Sequence, residues 1–125
     1  MSFSGLKTAV INLVHNAGQK GEEIDRAGLA ASFTKAVSDS LVPRTVQAAK
    51  ELGYGKVVVA GGVAANSRIR ADFQKAAEEN GFSLYVPPLK LCGDNGAMIG
   101  AQGYYEYLAG VRAGSDLNAY ATMDL

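Results

Sequence analysis

The sequence predicts an α/β fold with few parallel strands and several helices, and three observations carry that expectation. Lys56-Val57-Val58-Val59-Ala60 is a short β-branched run of the type that forms buried parallel strands, and Gly61-Gly62 closes it. A helical pattern follows, and a second strand from Phe82 to Val86 then ends at Pro87-Pro88. The order strand, helix, strand, helix from Lys56 to Leu108 argues for an α/β layer with parallel strands. Two strands are few for a free-standing sheet, which suggests part of a larger unit.

Helices precede this layer. Leu6, Val10, Leu13 and Val14 follow the i, i+4, i+7, i+8 spacing of an amphipathic helix, with Ser4 as the expected N-cap. The stretch from Gly18 to Glu22 is polar and contains two glycines, so it reads as a loop. Asp25 is placed to cap a second helix whose apolar face holds Leu29, Phe33, Val37 and Leu41. Pro43 lacks an N–H and crowds the preceding turn, so one kinked helix and two consecutive helices both fit. Helical periodicity resumes at Val46, Ala49 and Leu52 and stops at Gly53.

From Ala64 onward, Ile69, Phe73, Ala76 and Ala77 define a third amphipathic helix that ends at Asn80-Gly81. Arg68, Arg70, Asp72, Lys75 and Glu78 are expected to face water. The last helix, from about Asp94 to Leu108, is apolar on nearly every side. Such a helix is enclosed, or covered by something this chain lacks.

The 125 residues suit a single domain spanning 1–125, with 48% hydrophobic and 19% charged residues, which excludes disordered and fibrous classes. Twelve basic residues balance twelve acidic ones, so total charge lends no support to a nucleic-acid footprint. Cys92 is the single cysteine and no signal peptide or long apolar run is present, which favours a cytoplasmic protein with no membrane association. No P-loop, H-E-x-x-H, G-x-S-x-G or C-x-x-C motif occurs.

Two segments can carry chemistry. In Val59-Ala60-Gly61-Gly62-Val63-Ala64-Ala65-Asn66, glycines after a strand let the backbone turn sharply and let a ligand approach without meeting a Cβ. The helix that follows offers free N–H groups to a phosphate or sugar hydroxyl, and Asn66 could hydrogen-bond a nucleoside. Spacing alone favours the plainer reading, a tight strand-to-helix turn with Asn66 exposed. In Leu91-Cys92-Gly93-Asp94-Asn95-Gly96, Asp94 can be a metal ligand, though spacing alone favours an N-cap. A catalytic metal takes about three protein ligands, and no His- or Cys-rich cluster accompanies Asp94.

Other residues carry weaker signals. His15 reads as a surface or half-buried residue, and Cys92 as a buried inert thiol rather than a reactive one. Gly96 and Gly100 allow another backbone to come close to the last helix. Tyr104, Tyr105 and Tyr107 suit packing or an interface better than base stacking. The Arg68/Arg70 pair fits RNA phosphates and a solvated helix face equally well.

Three segments occur in order: Ser2-Phe3-Ser4-Gly5-Leu6-Lys7-Thr8, Ala60-Gly61-Gly62-Val63-Ala64-Ala65-Asn66-Ser67-Arg68, and Cys92-Gly93-Asp94-Asn95-Gly96-Ala97-Met98-Ile99. Together with Asp116-Leu117-Asn118-Ala119-Tyr120, they closely resemble the C-terminal part of the tRNA N6-adenosine threonylcarbamoyltransferase family (bacterial TsaD, formerly glycoprotease or Gcp). The resemblance covers essentially the whole chain.

It implies part of an actin/Hsp70/sugar-kinase-like (ASKHA, ribonuclease H-like) fold, in which two α/β domains clasp a nucleotide. It also implies transfer of threonylcarbamoyl from threonylcarbamoyl-AMP to N6 of the tRNA adenosine beside the anticodon. Asn66 matches the family's substrate-binding asparagine, Gly61 and Gly62 the turn lining the nucleotide pocket, and Asp94 the metal-binding aspartate. No residue of this chain matches a catalytic role. The implied cofactor is iron or zinc, and the implied partners are threonylcarbamoyl-AMP or an ATP-like nucleotide, tRNA, and proteins of the t6A-modification complex.

The departures from the family pattern are specific. Family members are more than twice as long, and their His-x-x-x-His metal ligands and acidic and glycine nucleotide contacts lie upstream of this region. Met1 stands where the family has an apolar residue inside a longer motif, so the chain is expected to be a C-terminal fragment of a larger two-domain enzyme, inactive alone. Pro43 falls in a helix that is unbroken in the family, and Ala121-Thr122-Met123-Asp124 replaces a proline-, arginine- and tryptophan-rich tail.

Two alternatives from other classes stand beside this expectation. The family's old name suggests a metalloprotease, against which the missing H-E-x-x-H counts. The apolar last helix suggests a non-enzymatic interaction module, and with it self-association of the chain.

Overall fold

The computed structural model describes residues 3–119. Met1, Ser2, Tyr120 and the 121–124 replacement of the family-like tail lie outside the described residues. The chain divides into two compact units, one running up to Cys92 and the other beginning at Gly93.

The first unit opens with helix α1, Ser4–Lys20. Its N-cap is Phe3, not the expected Ser4, and no side chain caps the helix there. Lys7 N–H instead reaches the Phe3 carbonyl at 3.0 Å, so the first turn starts one residue early. Gly18 lies inside the helix rather than in a loop, because Gly21 supplies the stop. At φ 69° Gly21 is left-handed, and its N–H and that of Glu22 fold back on the carbonyls of Gly18 and Ala17.

Helix α2, Arg26–Glu51, starts where expected, with Asp25 Oδ1 accepting from Gly28 N–H at 3.0 Å. It is one helix with Pro43 inside it, which decides between the two readings left open by the sequence. The Thr45 hydroxyl donates to the Leu41 carbonyl at 2.9 Å just past the proline. Around it, Leu41 and Val42 pack against the core, and that packing offsets the missing backbone bond.

Strand β1, Lys56–Val58, and strand β2, Ser83–Tyr85, pair in parallel with Val57 opposite Leu84. Helix α3, Ser67–Asn80, forms the crossover between them. The core is Val37, Ile69 and Phe73, with Phe3, Leu6, Phe33, Leu41, Val42, Val59 and Leu84 packed around it. One face of the sheet is therefore covered. The run forms a parallel strand as expected but is not fully buried, since Val57 is half-buried while Val58 is 70% exposed. The mixed architecture, with a short parallel sheet and four α-helices among the described residues, agrees with part of an ASKHA-like domain.

The second unit contains helix α4, Gly96–Leu108, which has no buried residue. Ile99 is 69% and Tyr105 is 68% exposed. Among the described residues no helix is long and apolar enough to cross a membrane.

Candidate functional site

The glycine turn follows directly from β1. Val59 N–H extends the ladder to the Tyr85 carbonyl at 2.9 Å, and the chain then reverses at Gly61, whose φ of 90° and ψ of 172° lie in a region that suits glycine alone. A short 3-10 turn, Gly62–Ala65, delivers the chain to α3, held by Ala64 N–H on the Gly61 carbonyl and Asn66 N–H on the Val63 carbonyl, both at 3.0 Å. Helix α3 thus begins at Ser67 rather than Ala64.

Asn66 is the N-cap of α3. Its Oδ1 accepts from Arg68 N–H at 3.0 Å and Ile69 N–H at 3.2 Å. Asn66 is half-buried rather than exposed, and its amide nitrogen has no hydrogen-bond partner among the described residues. Capping engages the oxygen and leaves a donor available, so the cap role and ligand binding are compatible.

An apolar cleft of about 490 Å³ adjoins this turn, and its lining includes Phe3, Phe33, Leu41, Gly62, Val63 and Asn66. Its size and apolar walls with few polar groups suit a small ligand. A larger depression of about 560 Å³ lies by Val46, Lys50 and Asn80 and touches none of the turn residues.

Arg68 keeps to the exposed face of α3, whereas Arg70 does not. Arg68 Nε chelates both oxygens of Asp72 at 3.0 and 2.8 Å. Asp72 in turn is held below the usual carboxylate range, chiefly by the Ser38 hydroxyl and then by Arg68. Arg70 is half-buried and donates to Ala64, Pro87 and Cys92. Helical periodicity misplaced it because its acceptors lie in loops remote in sequence. The one available signal was an arginine beside buried Ile69 in the first turn of a helix.

Asp94 belongs to the second unit. It is exposed and has no hydrogen-bond or ion-pair partner among the described residues. The predicted cap role falls instead to Asn95, whose Oδ1 accepts from Met98 N–H at 3.0 Å and whose Nδ2 donates to the Gly93 carbonyl at 3.0 Å. Asn95 has the extended backbone of a cap, at φ −153° and ψ 150°, which places it rather than Asp94 over the first turn. The Asp94 carboxylate is left open to a hard or borderline cation, as one oxygen donor of the several a metal requires. Among the described residues no three His, Cys, Asp or Glu side chains gather.

The other candidates differ in their surroundings. Cys92 is 3% exposed, and His15 is exposed with Gln19 Nε2 3.1 Å from its Nε2. Tyr104 and Tyr105 stack edge-on at 5.8 Å, and Tyr107 carries the Arg112 guanidinium over its ring at 4.1 Å.

Comparison with known proteins addresses this arrangement directly. A family model described as TsaD, tRNA N6-adenosine threonylcarbamoyltransferase, matches residues 1–101. A protein of that name from Staphylococcus saprophyticus is 51% identical over 124 residues, covering 99% of this chain and 36% of its own length. The Bacillus subtilis protein of the same name is 50% identical over 125 residues, and that of Geobacillus thermodenitrificans 54% identical over 119. The chain therefore spans about 36% of the length of the first two relatives. A match of this extent, with the glycine turn, Asn66 and Asp94 all inside it, means that the chain belongs to the tRNA N6-adenosine threonylcarbamoyltransferase family, TsaD.

Proposed function

We propose that this chain is the C-terminal portion of an enzyme that transfers threonylcarbamoyl from threonylcarbamoyl-AMP to N6 of the tRNA adenosine next to the anticodon. The observation that carries the nucleotide part of this reading is the Asn66 amide nitrogen, unpartnered among the described residues, on a cleft also lined by Gly62 and Val63. In the reaction, N6 attacks the carbamoyl carbon, a C–N bond forms, the bond from that carbon to the phosphate oxygen breaks, and AMP leaves as N6 loses a proton. The Gly61-Gly62 turn admits the nucleotide close to backbone, and Asn66 Nδ2 donates to it and fixes its orientation.

Asp94 fits a metal as one donor of a set completed elsewhere in the longer protein. Iron or zinc, when bound, supplies Lewis-acid polarisation of the carbamoyl oxygen. The remaining ligands lie outside this chain, which is inactive alone. Proteins of the t6A-modification complex and tRNA are the partners of the whole enzyme, and its compartment is the cytoplasm.

The test is Asp94→Ala in the full-length enzyme. Metal content and transfer of threonylcarbamoyl to tRNA should both be lost while the fold is kept. Metal retained at wild-type stoichiometry would refute the ligand role. A second reading, association through α4, is favoured by the exposure of Met98, Ile99, Tyr105 and Leu108 on that helix.

A further inference from the structure

Arg70 is the most heavily engaged side chain beside the glycine turn. Its Nε donates to the Ala64 carbonyl, and its Nη2 donates to the Pro87 carbonyl at 2.7 Å and to Cys92 Sγ at 3.0 Å. Ala64 and Cys92 are only 1% and 3% exposed. The Cys92 thiol itself leans on the Pro87 and Pro88 carbonyls at 3.7 and 3.6 Å. One planar guanidinium thus joins the middle of the Gly61–Asn66 turn to the bend that follows β2.

Among the described residues Arg70 has no carboxylate partner, so its half-buried charge is held by carbonyl dipoles and sulfur alone. A cation so placed is costly unless its fixed geometry is used. The Ala64 carbonyl it grips lies two residues before Asn66, and Ala64 N–H is bonded to the Gly61 carbonyl. Displacing Ala64 therefore displaces both ends of the turn.

We propose that Arg70 is a positioning residue: it locks the Gly61–Asn66 turn to the Pro87–Cys92 bend and thereby sets Asn66 for the nucleotide. The inference rests on the nucleotide reading proposed above. Lysine carries the charge but presents a single ammonium, which cannot meet the three acceptors in one plane.

The test follows the amide resonances of Gly61, Gly62 and Asn66 in the isotope-labelled full-length protein as ATP is added, alongside the rate at which iodoacetamide alkylates Cys92. Arg70→Lys, with circular dichroism and melting point as in the wild type, should weaken ATP about tenfold and speed alkylation of Cys92. In Arg70→Ala, ethylguanidinium should restore ATP binding and ethylammonium should not. A folded Arg70→Lys with wild-type ATP affinity overturns the positioning role and leaves the nucleotide reading intact. Turn amides that ignore ATP in the full-length wild-type protein sink the nucleotide reading itself, and the positioning role falls with it.

Discussion

The Ser38 hydroxyl donates to Asp72 Oδ2 at 2.7 Å, joining the middle of α2 to α3 across a sequence separation of 34 residues. Ser38 is 2% exposed, and Arg68 Nε reaches both oxygens of the same carboxylate. The bond places a polar tie beside the Val37, Ile69 and Phe73 core, and so fixes how α3 lies under the glycine turn.

Removing that tie should have a pH-dependent cost. Ser38→Ala leaves a half-buried carboxylate short of a donor and should destabilise the chain by about 1–2 kcal/mol at neutral pH. Asp72 is held below its ordinary value of 3.8, so folding favours its charged form. The stabilisation is complete above the unfolded value and disappears as pH falls through the lower folded one. Urea midpoints of wild type and Ser38→Ala should therefore converge in acid. A gap that stays constant into strong acid would mean that the bond does not depend on the carboxylate charge.

The core makes a sharper contrast with α4. Phe73 is 4% exposed at the centre of the cluster, and Phe73→Ala should cost about 3–5 kcal/mol, which unfolds much of a chain this small. Tyr105→Ala, at a position 68% exposed, should fall within about 0.5 kcal/mol. Thermal melts of the two variants compare them directly.

What the sequence made legible follows from what is local. Asp25, Gly53 and Gly81 end or start helices through bonds within a few residues, and their roles were readable from position. Phe73 and Ile69 were readable from period. Ser4 and Asp94 were misplaced as caps because a polar neighbour, or a one-residue shift in the first turn, serves equally well on paper; the bond from Met98 N–H to Asn95 Oδ1 separates Asn95 from Asp94. Arg70 was unreadable because its acceptors lie 6, 17 and 22 residues away. The open face of β1 was likewise hidden, since a β-branched run reports the strand and not whether both sides are covered.

Asn66 allows cap and ligand roles to be separated. Asn66→Ala removes the acceptor for Arg68 and Ile69 N–H and should cost about 1 kcal/mol. Asn66→Asp keeps that acceptor, since aspartate caps as well as asparagine, but replaces the amide donor with a negative charge. Its urea midpoint should match the wild type while ATP binding is lost. Unchanged ATP affinity in Asn66→Asp would confine the residue to capping.

Asp94 and Asn95 provide the matching pair in the second unit. Asn95→Ala strips the acceptor from Met98 N–H and should lower α4 helicity, with a cost of about 1 kcal/mol. Asp94→Ala touches no bond seen here and should leave circular dichroism and melting unchanged. Loss of helicity in Asp94→Ala would return the cap to it and weaken its case as a metal donor.

The exposed helix α4 sets the last expectation, for the chain by itself. Met98, Ile99, Tyr105 and Leu108 are all more than half exposed, and at Gly96 and Gly100 an added Cβ would meet nothing within 4 Å. A bare glycine pair beside large apolar side chains lets a second backbone approach closely, so the chain should self-associate at high concentration. Gly100→Leu separates helix stability from association. Leucine improves helix propensity by about 0.8 kcal/mol over glycine, yet it fills the approach surface. The variant should melt no lower than wild type and sediment as a smaller species. If it associates as strongly as wild type, the contact does not pass over Gly100; if the wild type sediments as a monomer at every concentration, α4 does not join two copies of this chain.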